Sequence, residues 1–136
     1  MAAQLSDKLK ETLDSKMFVT VATVQPDGSP QLSPVWVTHA DGDVLISTTE
    51  DRRKTRNLAR DPRVTVMVNP AESPYSYAEI RGTAELVPDP EGRLIDELSL
   101  KYTGKRYAEF NSSAGQDAPR VVVRITPQKI VGQGLD

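Results

Sequence analysis

The sequence predicts a mainly β protein with a few helices, folded as a closed or nearly closed antiparallel barrel. Three observations lead there. Seven short runs are rich in β-forming residues. Two Asp-Gly pairs, Asp27-Gly28 and Asp41-Gly42, sit between such runs, an arrangement that strongly marks a hairpin. Helix signals are few, and a sheet of this many strands removes its exposed edges by closing on itself. A sandwich satisfies the same patterning and stays open at this level.

Leu5, Leu9 and Leu13 recur every four residues and form a narrow helical stripe able to dock on a sheet. The run FVTVATV (18–24) is apolar on both faces and is expected to be buried on both. After the turn at Asp27-Gly28, the strand QLSPVWVTH (31–39) returns. Pro34 lacks an N–H, so this strand lies at an edge, is bulged, or is open there. The second Asp-Gly turn leads into a third strand over 44–47, which completes a meander. Val64, Val66 and Val68 alternate in RVTVMVN, so one face of that strand meets the core. A long strand over 75–87 carries Gly82, the mark of a bulge or a close backbone approach. Asp89-Pro90 reads as a helix start, with Leu94, Leu98 and Tyr102 as its buried stripe. A short helical turn follows over 105–110, then a small-residue loop over 112–119. RVVVRIT (120–126) is a strand with Arg120 and Arg124 opposite Val121, Val123 and Ile125. Pro127 ends it, and KIVGQGL (129–135) is a last short strand.

The 136 residues suffice for one domain, 1–136, with no repeat or linker dividing them. No apolar run approaches the roughly 18 residues that cross a membrane. The N-terminal stretch reads as a polar helix rather than a signal peptide, which leaves the cytoplasm as the expected location. With no Cys and a single His, His39, disulfides, thiolate metal sites, a catalytic triad and a multi-His metal centre fall away. His39 reads as a surface residue at a hairpin end. A net charge of -2 argues against nucleic acid as partner. Most hydrolytic chemistry thus loses its usual base, whereas a redox enzyme whose cofactor carries the chemistry needs none of these residues.

The stretch Ser47–Arg63, STTEDRRKTRNLARDPR, carries the chemical signal. A strand ends in the hydroxyls of Ser47, Thr48 and Thr49. A helix follows, with Thr49 or Asp51 as its expected cap and Asp61-Pro62 as its stop. Six basic residues fall within Arg52–Arg63. Arg52, Arg53 and Lys54 crowd positive charge onto a helix N-terminus, where the unpaired N–H groups and the dipole already favour anions. A phosphate resolves that conflict. The competing reading is a solvated basic helix paired with its own acids.

Together and in order, PDGSPQLSPVW, the segment S-x-x-x-x-x-R-K-x-x-N-L-x-x-D-P, the Gly-Thr-Ala strand and the closing G-Q-G-L resemble the pyridoxamine 5′-phosphate oxidase-like superfamily. The likeness is greatest to its branch that uses the deazaflavin coenzyme F420, and it runs from about Leu5 to Leu135. It implies a split β-barrel of the FMN-binding type, Greek-key-like, and a homodimer with two identical cofactor sites at the subunit interface. It also implies that Arg52 and Lys54, with Arg53 as a further candidate, hold the cofactor phosphate beside Ser47, Thr48 and Thr49. Gln31, Ser33, Pro34, Val35 and Trp36 match the segment lining the ring, and Tyr75 and Tyr77 the aromatic positions reaching it from the other subunit. A core role is the alternative for Trp36 and for each tyrosine.

The function implied is hydride transfer between reduced F420 and a small organic acceptor. FMN is the alternative cofactor, and a non-catalytic cofactor- or heme-binding module the alternative role. The chain departs from the vitamin-B6 oxidases themselves in its length, its single histidine and its last residues, so B6 oxidation does not follow. No catalytic residue is assigned. The proton that must follow a hydride has Tyr75, Tyr77 or water as candidate sources. Arg56, Arg60, Arg63 and Lys105-Arg106 are available to the anionic tail of F420 or to solvent.

Overall fold

A computed structural model describes residues 3–136. In chain order the elements are α1 (Asp7–Asp14), β1 (Val19–Val24), β2 (Pro30–Val35), β3 (Thr38–Ala40), β4 (Asp43–Thr49) and α2 (Arg53–Arg60). They continue with β5 (Arg63–Val68), β6 (Tyr77–Pro88), α3 (Arg93–Thr103), α4 (Tyr107–Phe110), a single 3-10 turn (Ala114–Gln116) and β7 (Arg120–Gln133). The seven strands form one antiparallel sheet in the order β2-β1-β5-β6-β7-β4-β3. Strands β2 and β3 hold its opposite edges, yet only Trp36 and Val37 separate them in the chain. Three Cα steps reach at most about 11 Å. The sheet therefore curls until its edges meet, and the barrel is split along the β2/β3 seam.

Seven strands were expected, and seven are present, but they are cut differently. The predicted strand 31–39 breaks at Trp36-Val37: its first half pairs with β1 and its second with β4. The predicted meander is thus two hairpins at the two sheet edges. Pro34 lies on the edge strand β2, where its missing N–H costs no ladder bond. Conversely, Pro127 does not end a strand, because β7 runs unbroken through it. The register slips at Arg81/Gly82, opposite Pro127, so the bulge expected at Gly82 takes up the missing donor.

Strand β1 buries only one face. Val19, Val21 and Thr23 point inward while Thr20 is exposed. Val19 and Val21 join Val44, Ile46, Val64, Val66, Val68, Ile80, Val123 and Ile125 in one core, and the α1 stripe of Leu5, Leu9 and Leu13 packs against it. Each of these leucines, removed from water, contributes roughly 1.5–3 kcal/mol. His39 is more enclosed than a hairpin-end position suggests, and its Nε2 lies 2.8 Å from Asp14 Oδ1. Leu94, Ile95 and Leu98 of α3 are also buried but lie outside that core cluster.

Helix α3 starts at Arg93, three residues after Pro90. Asp89 nevertheless caps it, accepting from the N–H groups of Arg93 (3.1 Å) and Leu94 (3.0 Å). Asp89→Ala removes both acceptors from a buried position. It is expected to lower unfolding free energy by about 1–2 kcal/mol, measured by urea denaturation, whereas Asp89→Asn should recover part of the loss.

Candidate cofactor site

The end of β4, the turn after it and α2 form one compact corner. Here the cap differs from expectation. Thr49 Oγ1 donates to Asp51 Oδ1 at 2.6 Å, so the two candidate caps satisfy each other. That bond is the main reason the Asp51 carboxyl titrates below its ordinary range. The N-cap is Arg52, with no side-chain bond into the helix. Among the described residues, the N–H groups of Arg53 and Lys54 find no acceptor. Thr55 secures the corner from inside, donating to the Thr49 carbonyl (2.7 Å) and lying 3.1 Å from Thr48 Oγ1. The helix thus begins as an open, uncapped terminus, a ready anion site.

That terminus opens on a cavity of about 440 Å³. Ser33, Pro34, Val35 and Trp36 from β2 and the seam line it, with Ser47 and Thr48 from β4, Arg52 and Lys54 from α2, Ile95 and Leu98 from α3, Tyr107 and Phe110 from α4, and Phe18 and Arg120. One end is cationic and polar, the other aromatic. Three groups lack partners. Ser33 Oγ and Ser47 Oγ are buried without a hydrogen bond. Lys54 is 8% exposed and makes neither a hydrogen bond nor an ion pair among the described residues. Burial, and secondarily the Arg52 charge, depress its pKa below 10.5.

Unsatisfied buried polar groups are costly, and an unpaired buried cation more so. A hollow of similar size near His39 shows the contrast: His39, Arg93 and Arg124 there all sit on carboxylates. An unmet ammonium, two orphaned hydroxyls and an aromatic wall fit a planar cofactor bearing a phosphate.

Eight of the thirteen residues expected at the site line this cavity: Ser33, Pro34, Val35, Trp36, Ser47, Thr48, Arg52 and Lys54. The other five lie elsewhere. Gln31 shares a strand face with Ser33, but its Oε1 accepts from Thr23 Oγ1 at 3.0 Å. Thr23 also accepts from the buried Asn57 of α2. Thr49 braces the corner, and Arg53 points to solvent. Tyr77 opens β6 and Tyr75 lies just before it; they are 36% and 85% exposed, and neither lines the cavity. Of the arginines offered to a cofactor tail, Arg60 donates to the Val24 carbonyl and Arg63 is clamped on Asp61 (2.7 Å).

Sequence reasoning did not place Arg120, Tyr107 or Phe110 at the site. Arg120 donates to Tyr107 Oη (2.8 Å) and pairs with Asp117 (3.0 Å), its guanidinium 4.7 Å from the Tyr107 ring centre. Alternation puts Arg120 on the face away from the core. Its partner across the ladder, Thr49, emerges only with the register.

The family profile for pyridoxamine 5′-phosphate oxidase matches residues 5–134. Among solved structures, an F420 reductase is 31% identical at a TM-score of 0.79, covering 90% of this chain and 94% of that one. A conserved hypothetical protein of Mycobacterium tuberculosis is 28% identical at a TM-score of 0.76, with 96% and 85% covered. General stress protein 26 of Bacillus anthracis shares the fold at 18% identity and a TM-score of 0.69, with 96% and 94% covered. No helix among the described residues is long and apolar enough to cross a membrane. A match over nearly the whole chain, on a barrel whose seam and basic corner enclose one cavity, makes this protein a member of the pyridoxamine 5′-phosphate oxidase family.

Proposed function

We propose that this protein binds coenzyme F420 and is an oxidoreductase that transfers a hydride between the reduced deazaflavin and a small organic acceptor. One observation carries the reading: buried Lys54, without a partner, faces the same cavity as the orphaned Ser33 and Ser47 hydroxyls. F420 rather than FMN is favoured by the 31% identity to an F420 reductase. FMN remains the second reading, since the family as a whole is the oxidase family.

The residues divide the work by position. Lys54, Arg52 and the free N–H groups of α2 would hold the phosphate. Ser33 and Ser47 offer hydroxyls to polar atoms nearer the ring. Trp36, Phe18 and Phe110 present flat apolar surface and exclude water. When bound, the deazaflavin supplies the hydride. The cavity lining contains no Asp, Glu or His. Its one phenol, Tyr107 Oη, accepts from Arg120 (2.8 Å) and Asn111 (2.9 Å) and turns its own proton towards Asp117 Oδ2 (3.5 Å). Within one copy the lining therefore contributes orientation and electrostatics, and the proton that follows the hydride is left to water or to Tyr75 and Tyr77 of a second copy.

Tyr75, 85% exposed, and Leu32, 61% exposed, are apolar surface that a second copy would cover, and Tyr75 and Tyr77 would reach a shared site from there. Side-by-side fluorescence titration with F420 and FMN is the deciding experiment, followed by acceptor reduction under steady state. Tighter F420 binding with turnover is the expected result. Tight FMN binding with none for F420 moves the protein to the flavin reading, and binding of neither removes both. Sedimentation should give a species near twice 14.9 kDa; a monomer that binds cofactor at full affinity would refute the shared site.

A further inference from the structure

We infer that Lys101 and Tyr102, in the last turn of α3, clip the barrel seam shut and thereby fix Trp36 as a wall of the cofactor cavity. At the seam, Trp36 and Val37 belong to no strand, so no ladder partners are supplied to them. Helix α3 supplies partners instead. Tyr102 Oη accepts from the Val37 N–H (3.1 Å) and donates to the Met17 carbonyl (2.5 Å). Lys101 Nζ donates to the Val37 carbonyl (2.6 Å) and to the Leu13 carbonyl (2.6 Å). Leu13 lies in the last turn of α1, which has no basic residue of its own, so Lys101 brings a cation to the negative end of that helix.

Two side chains thus satisfy both backbone polar groups of Val37 and tie the seam to the α1–β1 junction. The aromatic geometry carries the constraint into the site. The Tyr102 ring stacks on Trp36, with centroids 5.1 Å apart and planes 12° from parallel. Phe18 meets Tyr102 edge-on at 5.8 Å, and Phe110 leans on Trp36 at 5.6 Å. Trp36, Phe18 and Phe110 line the cavity, whereas Lys101 and Tyr102 do not. Lys101 and Tyr102 are therefore positioning residues: Tyr102 stacks on the Trp36 ring, both hold the backbone of the adjacent Val37, and both act on the ligand through Trp36. Only the identity of that ligand rests on the function proposed above.

Trp36 is the sole tryptophan, so intrinsic fluorescence reports this one side chain. Tyr102→Phe keeps the ring and removes both hydrogen bonds; Lys101→Met keeps the stem and removes the ammonium. In the ligand-free protein, both variants should retain the sheet signal in circular dichroism and show a higher acrylamide quenching constant for Trp36. F420 or FMN, whichever the wild type binds, should bind about three- to tenfold more weakly to Tyr102→Phe. In a Trp36→Ala background the same change should cost less than about twofold, because the group it acts through is gone.

A generic structural role predicts otherwise: a lower melting temperature, unchanged quenching, and the same affinity loss in both backgrounds. That pattern would overturn the inference. Should the wild type bind neither cofactor, the proposed function fails, and the clip is judged on quenching alone: raised values uphold it and unchanged values reject it.

Discussion

Lys54→Met is expected to weaken cofactor binding about ten- to hundredfold while leaving the melting temperature of the ligand-free protein equal or higher. The two halves have one cause. Lys54 is buried without a counter-charge at an uncapped helix N-terminus, where the dipole and Arg52 both repel it. Its removal relieves the ligand-free fold. In the complex the same ammonium meets a phosphate, and a charge-assisted hydrogen bond is worth roughly 1.5–3 kcal/mol.

The pH dependence follows in sign. In the unfolded chain Lys54 stays protonated up to about its ordinary 10.5, but burial makes the folded protein release that proton earlier. Between the two values the unfolded state binds more protons, so stability rises with pH there. Wild type should therefore draw level with Lys54→Met as pH climbs towards 10.5, while its affinity for an anionic cofactor falls over the same window. Arg52→Ala, at an exposed position, should lose less affinity and show more sensitivity to salt. Paired titrations and thermal melts across pH test all three statements. Unchanged affinity in Lys54→Met with normal melting would reduce the basic helix to a solvated face.

The corner around Lys54 was legible because it is local. A strand end, a turn and a helix start within Ser47–Lys54 bring hydroxyls and cations together whatever the rest of the chain does. The far wall was not legible. Phe110 and Arg120 reach the cavity from more than fifty residues away, and no periodicity encodes that distance. Gln31 shows the limit of strand parity. Alternation places it on the same face as Ser33, but the face does not reveal that Thr23 occupies its amide. Strand ends suffered similarly. The break at Trp36-Val37 depends on α3 satisfying Val37 from 65 residues downstream. The continuity of β7 through Pro127 depends on which residue lies across from it.

That residue is Gly82, and Gly82→Ala is expected to destabilise the protein by about 1–3 kcal/mol, lowering the melting temperature by roughly 4–10 °C. A Cβ at Gly82 would stand 2.1 Å from the Thr126 carbonyl oxygen, 3.0 Å from its carbon and 3.3 Å from Pro127 Cα. All three are backbone atoms, so no side chain can rotate away, and β6 and β7 must separate. These strands pair along the full length of β6, from Tyr77 to Pro88, and β7 carries β4 on its other side. A displacement here therefore reaches Thr49, Thr48 and Ser47, the strand end that delivers the chain to Arg52 and Lys54. Cofactor affinity should fall together with stability, unlike in Lys54→Met, where the two move apart. Gly115→Ala is the control: its Cβ meets nothing within 4 Å, and a change within about 0.5 kcal/mol is expected. If Gly82→Ala melts with Gly115→Ala and the wild type, the bulge does not bring the two backbones together, and the continuous β7 that rests on it is wrong.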